Sequence, residues 1–219
     1  MPLVYLVIDH WSNFEDLLYS AGVRRFFVTS PSALKIALER GCDIIVDNGA
    51  YRYGYARFGW CLQACKLGVK YILPDVLGDP TRTVELHIKF ADMVSERELS
   101  NGFVVLQGAT FEENVNQLEK LRELGIVKKY VAFGGPKELR RKKSLDEEII
   151  SKLYRYVKRY GYHFHVLGRA RMCCDSFDTA SWGYRMLDQK RNNNSYSIDP
   201  VLKFIRKYEG YNSIMSYLY

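Results

Sequence analysis

The chain has 219 residues, of which 47% are hydrophobic, and it carries a formal net charge of +7 at pH 7. This length is sufficient for one sizeable hydrophobic core. No run of roughly 20 apolar residues predicts a membrane span, and the first residues lack the basic region and cleavage site of a signal peptide. We therefore expect a cytoplasmic protein without a membrane anchor, and the basic charge favours a polyanionic partner.

The cysteines form an odd set without the close spacing of a zinc site: Cys42, Cys61, Cys65, Cys173 and Cys174. Such a set is typical of reduced thiols in an intracellular protein. We expect structural roles for these thiols, no metal site and no cofactor.

Eight short apolar runs predict strands, and most are separated by segments with helical periodicity. The runs are Val4–Ile8, Arg25–Thr29, Asp43–Val46, Lys70–Leu73, Phe103–Leu106, Tyr130–Phe133, His163–Leu167 and a short one around Cys174–Phe177. Continuous apolar runs are typical of strands buried on both faces of a parallel sheet.

Helix starts are marked by two devices, a capping residue followed by proline and a capping box. The first is found at Ser30-Pro31 and Asp79-Pro80, and the second at Thr110 with Glu113 and at Ser144 with Glu147. The alternation of strands and helices predicts an α/β fold. Eight repeats favour a single compact (β/α)₈ TIM-type barrel over an open doubly wound sheet, as one domain over residues 1–219 without a zinc subdomain. Because such barrels typically need about 250 residues, we expect trimmed helices or loops.

Carboxylates, an amide and glycines stand where the predicted strands end. They are Asp47, Asp75, Gln107, Gly108, Gly134, Gly135, Gly168 and Asp178. Because the C-terminal ends of barrel strands converge on the axis, we expect these residues to lie close together. Carboxylates that are grouped together repel and desolvate one another. This is unfavourable for the stability of the fold but useful for acid–base chemistry.

In order and spacing these motifs resemble those of the tRNA-guanine transglycosylase superfamily. The superfamily uses a (β/α)₈ barrel to exchange a guanine in a nucleic acid for a 7-deazaguanine base. The resemblance covers the chain from about Asp47 to Asp178 and implies a glycosyltransferase of the pentosyltransferase type. It rests on Asp47-Asn48-Gly49-Ala50-Tyr51, Asp75, Gln107-Gly108, Gly134-Gly135, Leu167-Gly168 and Asp175-Ser176-Phe177-Asp178.

The resemblance implies two catalytic carboxyl groups. Cleavage of an N-glycosidic bond passes through an oxocarbenium-like state, which a carboxylate can trap covalently at C1′. The resemblance assigns this role to Asp178. It assigns to Asp47 the transfer of a proton as guanine leaves and its replacement arrives.

Recognition of the base is assigned to the other strand ends. Asp75 is expected to accept from guanine, and the amide of Gln107, which precedes Gly108, is expected to donate to it. The backbone N–H groups of Gly134 and Gly135 are expected to approach the base closely.

Two side chains are expected to enclose the flat base. Tyr51 would stack on one face of the base. Leu167, followed by Gly168, would cover the other face. Both assignments come from the resemblance.

Several departures from the superfamily bear on the substrate. Its tRNA enzymes carry a zinc site of cysteines and a histidine beyond the nucleophile, whereas no cysteine or histidine follows Cys174. The usual Cys-Val-Leu-Pro-Thr-Arg continuation is replaced by Thr179-Ala180-Ser181-Trp182, and the archaeal RNA-binding extensions are not recognisable. The chain is therefore most similar to the zinc-free, DNA-acting branch. We expect DNA as the nucleic-acid partner, with tRNA as the alternative, and a 7-deazaguanine base as the small-molecule substrate.

Basic residues near the predicted strand ends are candidates for contacts with the nucleic-acid backbone. They are Arg140, Arg141, Lys142, Lys143 and Arg169. A solvated charged loop is the alternative for the four consecutive residues.

Three further assignments stay open. For His10 and His165 a hydrogen-bonded structural role is favoured over catalysis. Trp182 is expected to pack beneath the nucleophile strand. The sequence does not decide whether the protein is a homo-oligomer.

Two other classes of function are considered. A nucleic-acid-binding barrel without activity is disfavoured because Asp178 and Asp47 are both present. A glycoside or nucleoside hydrolase is disfavoured by Gln107 with Gly134-Gly135 and by the basic charge.

Overall fold

Eight parallel strands close into a barrel in a computed structural model, which describes residues 1–10, 12–180 and 198–209. The strands are β1 (Leu3–Ile8), β2 (Arg25–Val28), β3 (Asp43–Val46), β4 (Lys70–Ile72), β5 (Gly102–Leu106), β6 (Tyr130–Phe133), β7 (His163–Val166) and β8 (Ser176–Thr179). Each strand pairs in parallel with the next, and β8 pairs with β1. The predicted (β/α)₈ barrel is confirmed.

Helices alternate with most of the strands and surround the barrel. They are α1 (Asn13–Ser20), α2 (Pro31–Glu39), α3 (Ala50–Tyr53), α4 (Phe58–Lys66), α5 (Pro80–Ala91), α6 (Glu96–Leu99), α7 (Phe111–Glu123), α8 (Lys137–Arg141), α9 (Lys143–Lys158) and α10 (Asp199–Glu209). Residues 167–175, all of which are described, join β7 to β8 without a helix. The trimming expected from the short length of the chain is found in this connection, which lacks its helix. No helix of the described residues is both long enough and apolar enough to cross a membrane.

The last strand begins two residues later than the sequence predicts. Asp175 precedes β8, and its carboxylate accepts the Phe164 N–H at 2.8 Å. Asp178 therefore lies inside β8 and not beyond its end. Side chains alternate between the two faces of a strand with a period of two. A shift of two residues therefore does not change the face on which Ser176 and Asp178 lie.

Most of the predicted helix starts are confirmed. The side chains of Ser30 and Asp79 cap α2 and α5, each followed by proline, and Thr110 forms a capping box with Glu113 at α7. The predicted box at Ser144 is wrong because α9 already begins at Lys143. Ser144 is therefore inside the first turn of that helix.

The hydrophobic core has two parts because strand residues point alternately inward and outward. The barrel interior is filled by side chains that include Tyr5, Phe27, Ile45 and Phe103. The outward residues pack under the helices. The filled interior leaves the C-terminal end of the barrel as the place for a cavity.

One carboxylate of the helix α10 joins it to the N-terminal end of the barrel strands. Glu209 accepts the backbone N–H of Val4 at 2.6 Å and forms an ion pair with Arg25 at 2.8 Å. Trp182 and residues 210–219 lie outside the described part of the chain, so the expectation for Trp182 stays a prediction.

Candidate active site

A cavity of about 550 Å³ opens at the C-terminal end of the strands, and residues on or after every strand line it. Eight of the predicted site residues contribute to its wall: Asp47, Tyr51, Asp75, Gln107, Gly134, Leu167, Gly168 and Asp178. Gly108 and Gly135 are not among the lining residues. The barrel therefore brings the three carboxylates of the predicted site into one cavity, as expected from their positions after β3 and β4 and within β8.

Asp178 is held by a backbone N–H group and a histidine ring. The Oδ1 atom accepts the backbone N–H of Gly168 at 2.9 Å and lies 3.1 Å from Nε2 of His165. The Asp178 side chain is almost fully buried, and that of His165 is fully buried. Hydrogen bonds to a carboxylate favour its charged form. The Asp178 side chain is thus oriented from one side, through Oδ1.

Asp47 has a different environment. Burial, together with the nearby charges of Asp178 and Asp75, raises the pKa of its carboxyl group to about 7. Backbone N–H groups of Gly49 and Asn48 oppose this shift. A carboxyl group with a pKa near 7 can give and accept a proton at neutral pH.

Asp75 is clamped between two amides. Asn48 Nδ2 lies 2.6 Å from Oδ1 of Asp75, and Gln107 Nε2 donates to Oδ2. The Oε1 atom of Gln107 accepts the N–H of Gly78 at 3.1 Å. Gln107, predicted to bind a base directly, is therefore engaged in orienting Asp75.

The N–H groups of the glycines that are predicted to approach a base are engaged within the protein. The N–H groups of Gly134 and Gly135 both lie within hydrogen-bonding distance of the Leu106 carbonyl, at 3.0 and 3.3 Å. The N–H of Gly108 donates to Asn114 Oδ1 at 2.9 Å. These glycines hold the strand ends together, which no local pattern in the sequence indicates.

The side walls are aromatic and apolar. Tyr51 on α3 is 58% exposed, and Lys137 Nζ lies 5.0 Å from the centre of its ring. Leu167 also lines the cavity, with Phe27 and Ile72 from the barrel interior. A flat aromatic ligand fits walls of this kind.

Asp9, which the sequence did not single out, and Arg52, which stands beside a predicted strand end, also line the cavity. Arg52 Nη1 lies 2.6 Å from Asp9 Oδ2, and Thr29 Oγ1 donates to Asp9 Oδ1 at 2.8 Å. The hydrogen bond from Arg52 lowers the pKa of Asp9. Asp9 directly follows β1, so the rule that found Asp47 and Asp75 would also have found it.

The predicted backbone-contacting residues divide into two groups. Arg141, Lys142 and Lys143 are exposed between α8 and α9, and the side chain of Arg140 is not among those described. Arg169, also predicted to contact the backbone, differs from them: its side chain is only 9% exposed and lies 3.0 Å from the buried carboxylate of Asp146.

No three histidine, cysteine, aspartate or glutamate side chains are grouped as metal ligands among the described residues. The five cysteines are free thiols. Comparison with protein-family models, with curated proteins and with solved structures finds no match to this chain.

Proposed function

We propose that this barrel is a glycosyltransferase that exchanges guanine in a nucleic acid for a 7-deazaguanine base. The observation that carries the proposal is the placement of three carboxylates with different environments in one cavity. Asp178 is oriented by donors, Asp47 has a pKa near 7, and Asp75 is clamped by two amides. A carboxylate nucleophile, a proton carrier and a hydrogen-bond acceptor are the three groups that base exchange requires.

The exchange proceeds in two displacements at C1′. Asp178 attacks C1′ as the C1′–N9 bond breaks, and protonated Asp47 gives its proton to the departing guanine. In the second step N9 of the incoming base attacks C1′ and loses its proton to Asp47, and the C1′–O bond to Asp178 breaks. The sugar keeps its configuration because both displacements invert it.

Binding of the base is assigned to the remaining cavity residues. Asp75, oriented by Asn48 and Gln107, accepts hydrogen bonds from the N1–H and the exocyclic amine of guanine. Tyr51 and Leu167 cover the faces of the ring. The base must be turned out of a stacked strand to reach a cavity inside the barrel mouth.

The nucleic acid itself is assigned to the basic surface around Arg141, Lys142 and Lys143. Exposed cations of this kind bind phosphates through charge, without reading sequence. DNA is the first substrate class proposed, because the chain lacks the zinc-binding cysteines of the tRNA enzymes that it resembles. tRNA is the second.

The test is release of labelled guanine from DNA and, separately, from tRNA when a 7-deazaguanine base is added. Release from DNA that is lost in Asp178→Asn supports the proposal, and release from tRNA alone would change the substrate class. Release of guanine without uptake of the added base would indicate a hydrolase. Binding without any release would indicate a barrel that only binds nucleic acid.

A further inference from the structure

Four polar side chains of β7 and β8 line the inside of the barrel, with Asp178 as the uppermost. His163 and His165 are two residues apart on β7, as are Ser176 and Asp178 on β8. The two strands are in register at His165 and Ser176. Residues two apart share one face of a strand, so all four side chains point to the barrel axis.

These side chains form a continuous hydrogen-bonded chain. His163 Nε2 lies 2.6 Å from Ser176 Oγ, which lies 2.8 Å from His165 Nδ1. His165 Nε2 lies 3.1 Å from Asp178 Oδ1. The His165 ring stacks on Phe27 at a ring distance of 6.0 Å. Apolar packing around a fully buried ring leaves it little freedom to rotate.

The direction of the hydrogen bonds follows from the charge of a nucleophilic carboxylate, which only accepts. His165 must then carry a proton on Nε2, and in this neutral tautomer Nδ1 accepts from the Ser176 hydroxyl. Ser176 in turn accepts from Nε2 of His163. Burial lowers the pKa of His163 to about 4, so at pH 7 a neutral His163 with its proton on Nε2 donates to Ser176.

Both hydrogen bonds to Asp178 are made at one oxygen. Oδ1 is bonded to Nε2 of His165 and to the backbone N–H of Gly168. No side chain or backbone group of the described residues bonds to Oδ2. Oδ2 is therefore the atom that is placed to react with C1′.

We propose that His165, oriented through Ser176 by His163, is a positioning residue that speeds the opening of the glycosyl–Asp178 bond; this inference rests on the proposed function. When the incoming base attacks C1′, the C1′–Oδ2 bond breaks and its electron pair returns to the carboxylate. A hydrogen bond to Oδ1 is stronger for the carboxylate than for the neutral ester. The bond from His165 therefore stabilises the leaving group and keeps the intermediate short-lived.

The test measures the lifetime of the covalent intermediate. The protein is mixed with a guanine-containing oligonucleotide, chased with excess free guanine, and denatured at intervals so that the adduct can be counted on a gel. His165→Phe keeps the ring but lacks the donor, and its adduct is expected to decay at least tenfold more slowly. His165→Gln places an amide near the position of Nε2 and is expected to restore much of the decay rate.

A matched control comes from His87, which is fully buried on α5 and makes no hydrogen bond among the described residues. His87→Phe makes the same chemical change at a site away from the hydrogen-bonded side chains of β7 and β8. The adduct of this variant should decay at the wild-type rate. Ser176→Ala, a smaller change that is expected to fold even where the phenylalanine variant does not, should slow the decay to a lesser degree.

The outcomes separate the two proposals. If the wild type forms no adduct with DNA or tRNA, the proposed function fails and the role of His165 fails with it. If the wild type forms the adduct but His165→Phe and Ser176→Ala lose it at the wild-type rate, only the role of His165 is overturned. ¹⁵N NMR of the wild type at pH 7 gives an independent result, because a proton on Nδ1 of His165 would contradict the proposed direction of the hydrogen bonds.

Discussion

A Cβ atom on Gly134 would lie 2.5 Å from Nε2 of Gln107, the atom that donates to Asp75. Real Cβ atoms are not found so close to another heavy atom, so either the backbone or the amide would have to move. The absence of a side chain after β6 thus allows the amide that follows β5 to orient the carboxylate that follows β4.

Gly134→Ala is therefore expected to displace Gln107 and to lower kcat/KM for base exchange by about 10- to 100-fold, since small misplacements in a site are costly. Fold stability should change much less. Gly59→Ala is the matched control, because a Cβ added there meets nothing within 4 Å. Equal activity of the two variants would remove Gly134 from the support of Asp75.

Asn48→Ala should reduce both stability and activity. Its amide bonds to the Leu73 carbonyl at 2.7 Å, to Asp75, and to the Ala50 N–H at 2.9 Å, all in buried positions. Loss of these partners is expected to lower the free energy of unfolding by about 2 kcal/mol.

Asn101→Ala provides the comparison for Asn48. It removes one exposed bond, to the Gly68 carbonyl at 2.8 Å. The free energy of unfolding of Asn101→Ala is expected to fall by well under about 1 kcal/mol. Urea denaturation of both variants measures the difference, and a similar loss in the two would contradict the buried role of Asn48.

Much of the barrel follows from sequence periodicity, because each buried parallel strand is a short apolar run whatever lies beside it. The strands β3 and β6 have the predicted bounds. The last strand was predicted too early because Asp178 resembles a residue beyond a strand end. A carboxylate is accommodated inside β8 because His165 and Gly168 bond to it, and these partners come from another strand and loop.

The site is predictable only where local sequence decides it. Carboxylates after strand ends identify Asp47 and Asp75, but the role of Gln107 depends on Gly78 and Asp75, which are far from it along the chain. Arg169 was assigned to the surface because its partner on α9, Asp146, is 23 residues away. Long-range pairing of this kind leaves no signal in a single sequence.

Asp47→Asn should make the protein more stable above pH 7. The pKa of Asp47 is raised to about 7 in the folded chain, so the folded state holds a proton that the unfolded state releases near pH 4. The contribution of Asp47 to stability is therefore most favourable at low pH and falls as the pH rises from about 4 to 7. Removal of the charge is expected to add up to about 4 kcal/mol at pH 8 and little at pH 4.

Denaturation of the wild type and of Asp47→Asn from pH 4 to pH 8 measures this difference. The same variant should lose base exchange, since it cannot carry the proton. A stability difference that does not change with pH would show that Asp47 is not a buried, titrating carboxyl group.

Arg169→Ala is expected to act on stability and not on nucleic-acid binding. The carboxylate of Asp146 is fully buried and lies 3.0 Å from Arg169 and 2.8 Å from Arg171. Loss of one partner of a buried ion pair should cost about 3 kcal/mol of unfolding free energy. The salt dependence of nucleic-acid binding should stay at its wild-type value.

Arg141→Ala is expected to give the opposite pattern. Its side chain is exposed, so the free energy of unfolding should stay within about 0.5 kcal/mol of the wild-type value. Affinity for an oligonucleotide should fall, and the slope of log K against log salt should decrease by about 1. If Arg169→Ala changes this slope and Arg141→Ala does not, the surface assigned to the phosphates is wrong.

The most direct measurement of the central claim is the location of the covalent bond to the nucleic acid. Trypsin cleaves after Arg171 and Arg185, so Asp178 lies in a peptide of residues 172–185. After denaturation of a reacting mixture and nuclease digestion, mass spectrometry should find a sugar-containing remnant on Asp178 in this peptide. A remnant on Asp47, or no remnant on any carboxyl group while exchange proceeds, would contradict a mechanism through glycosyl-Asp178.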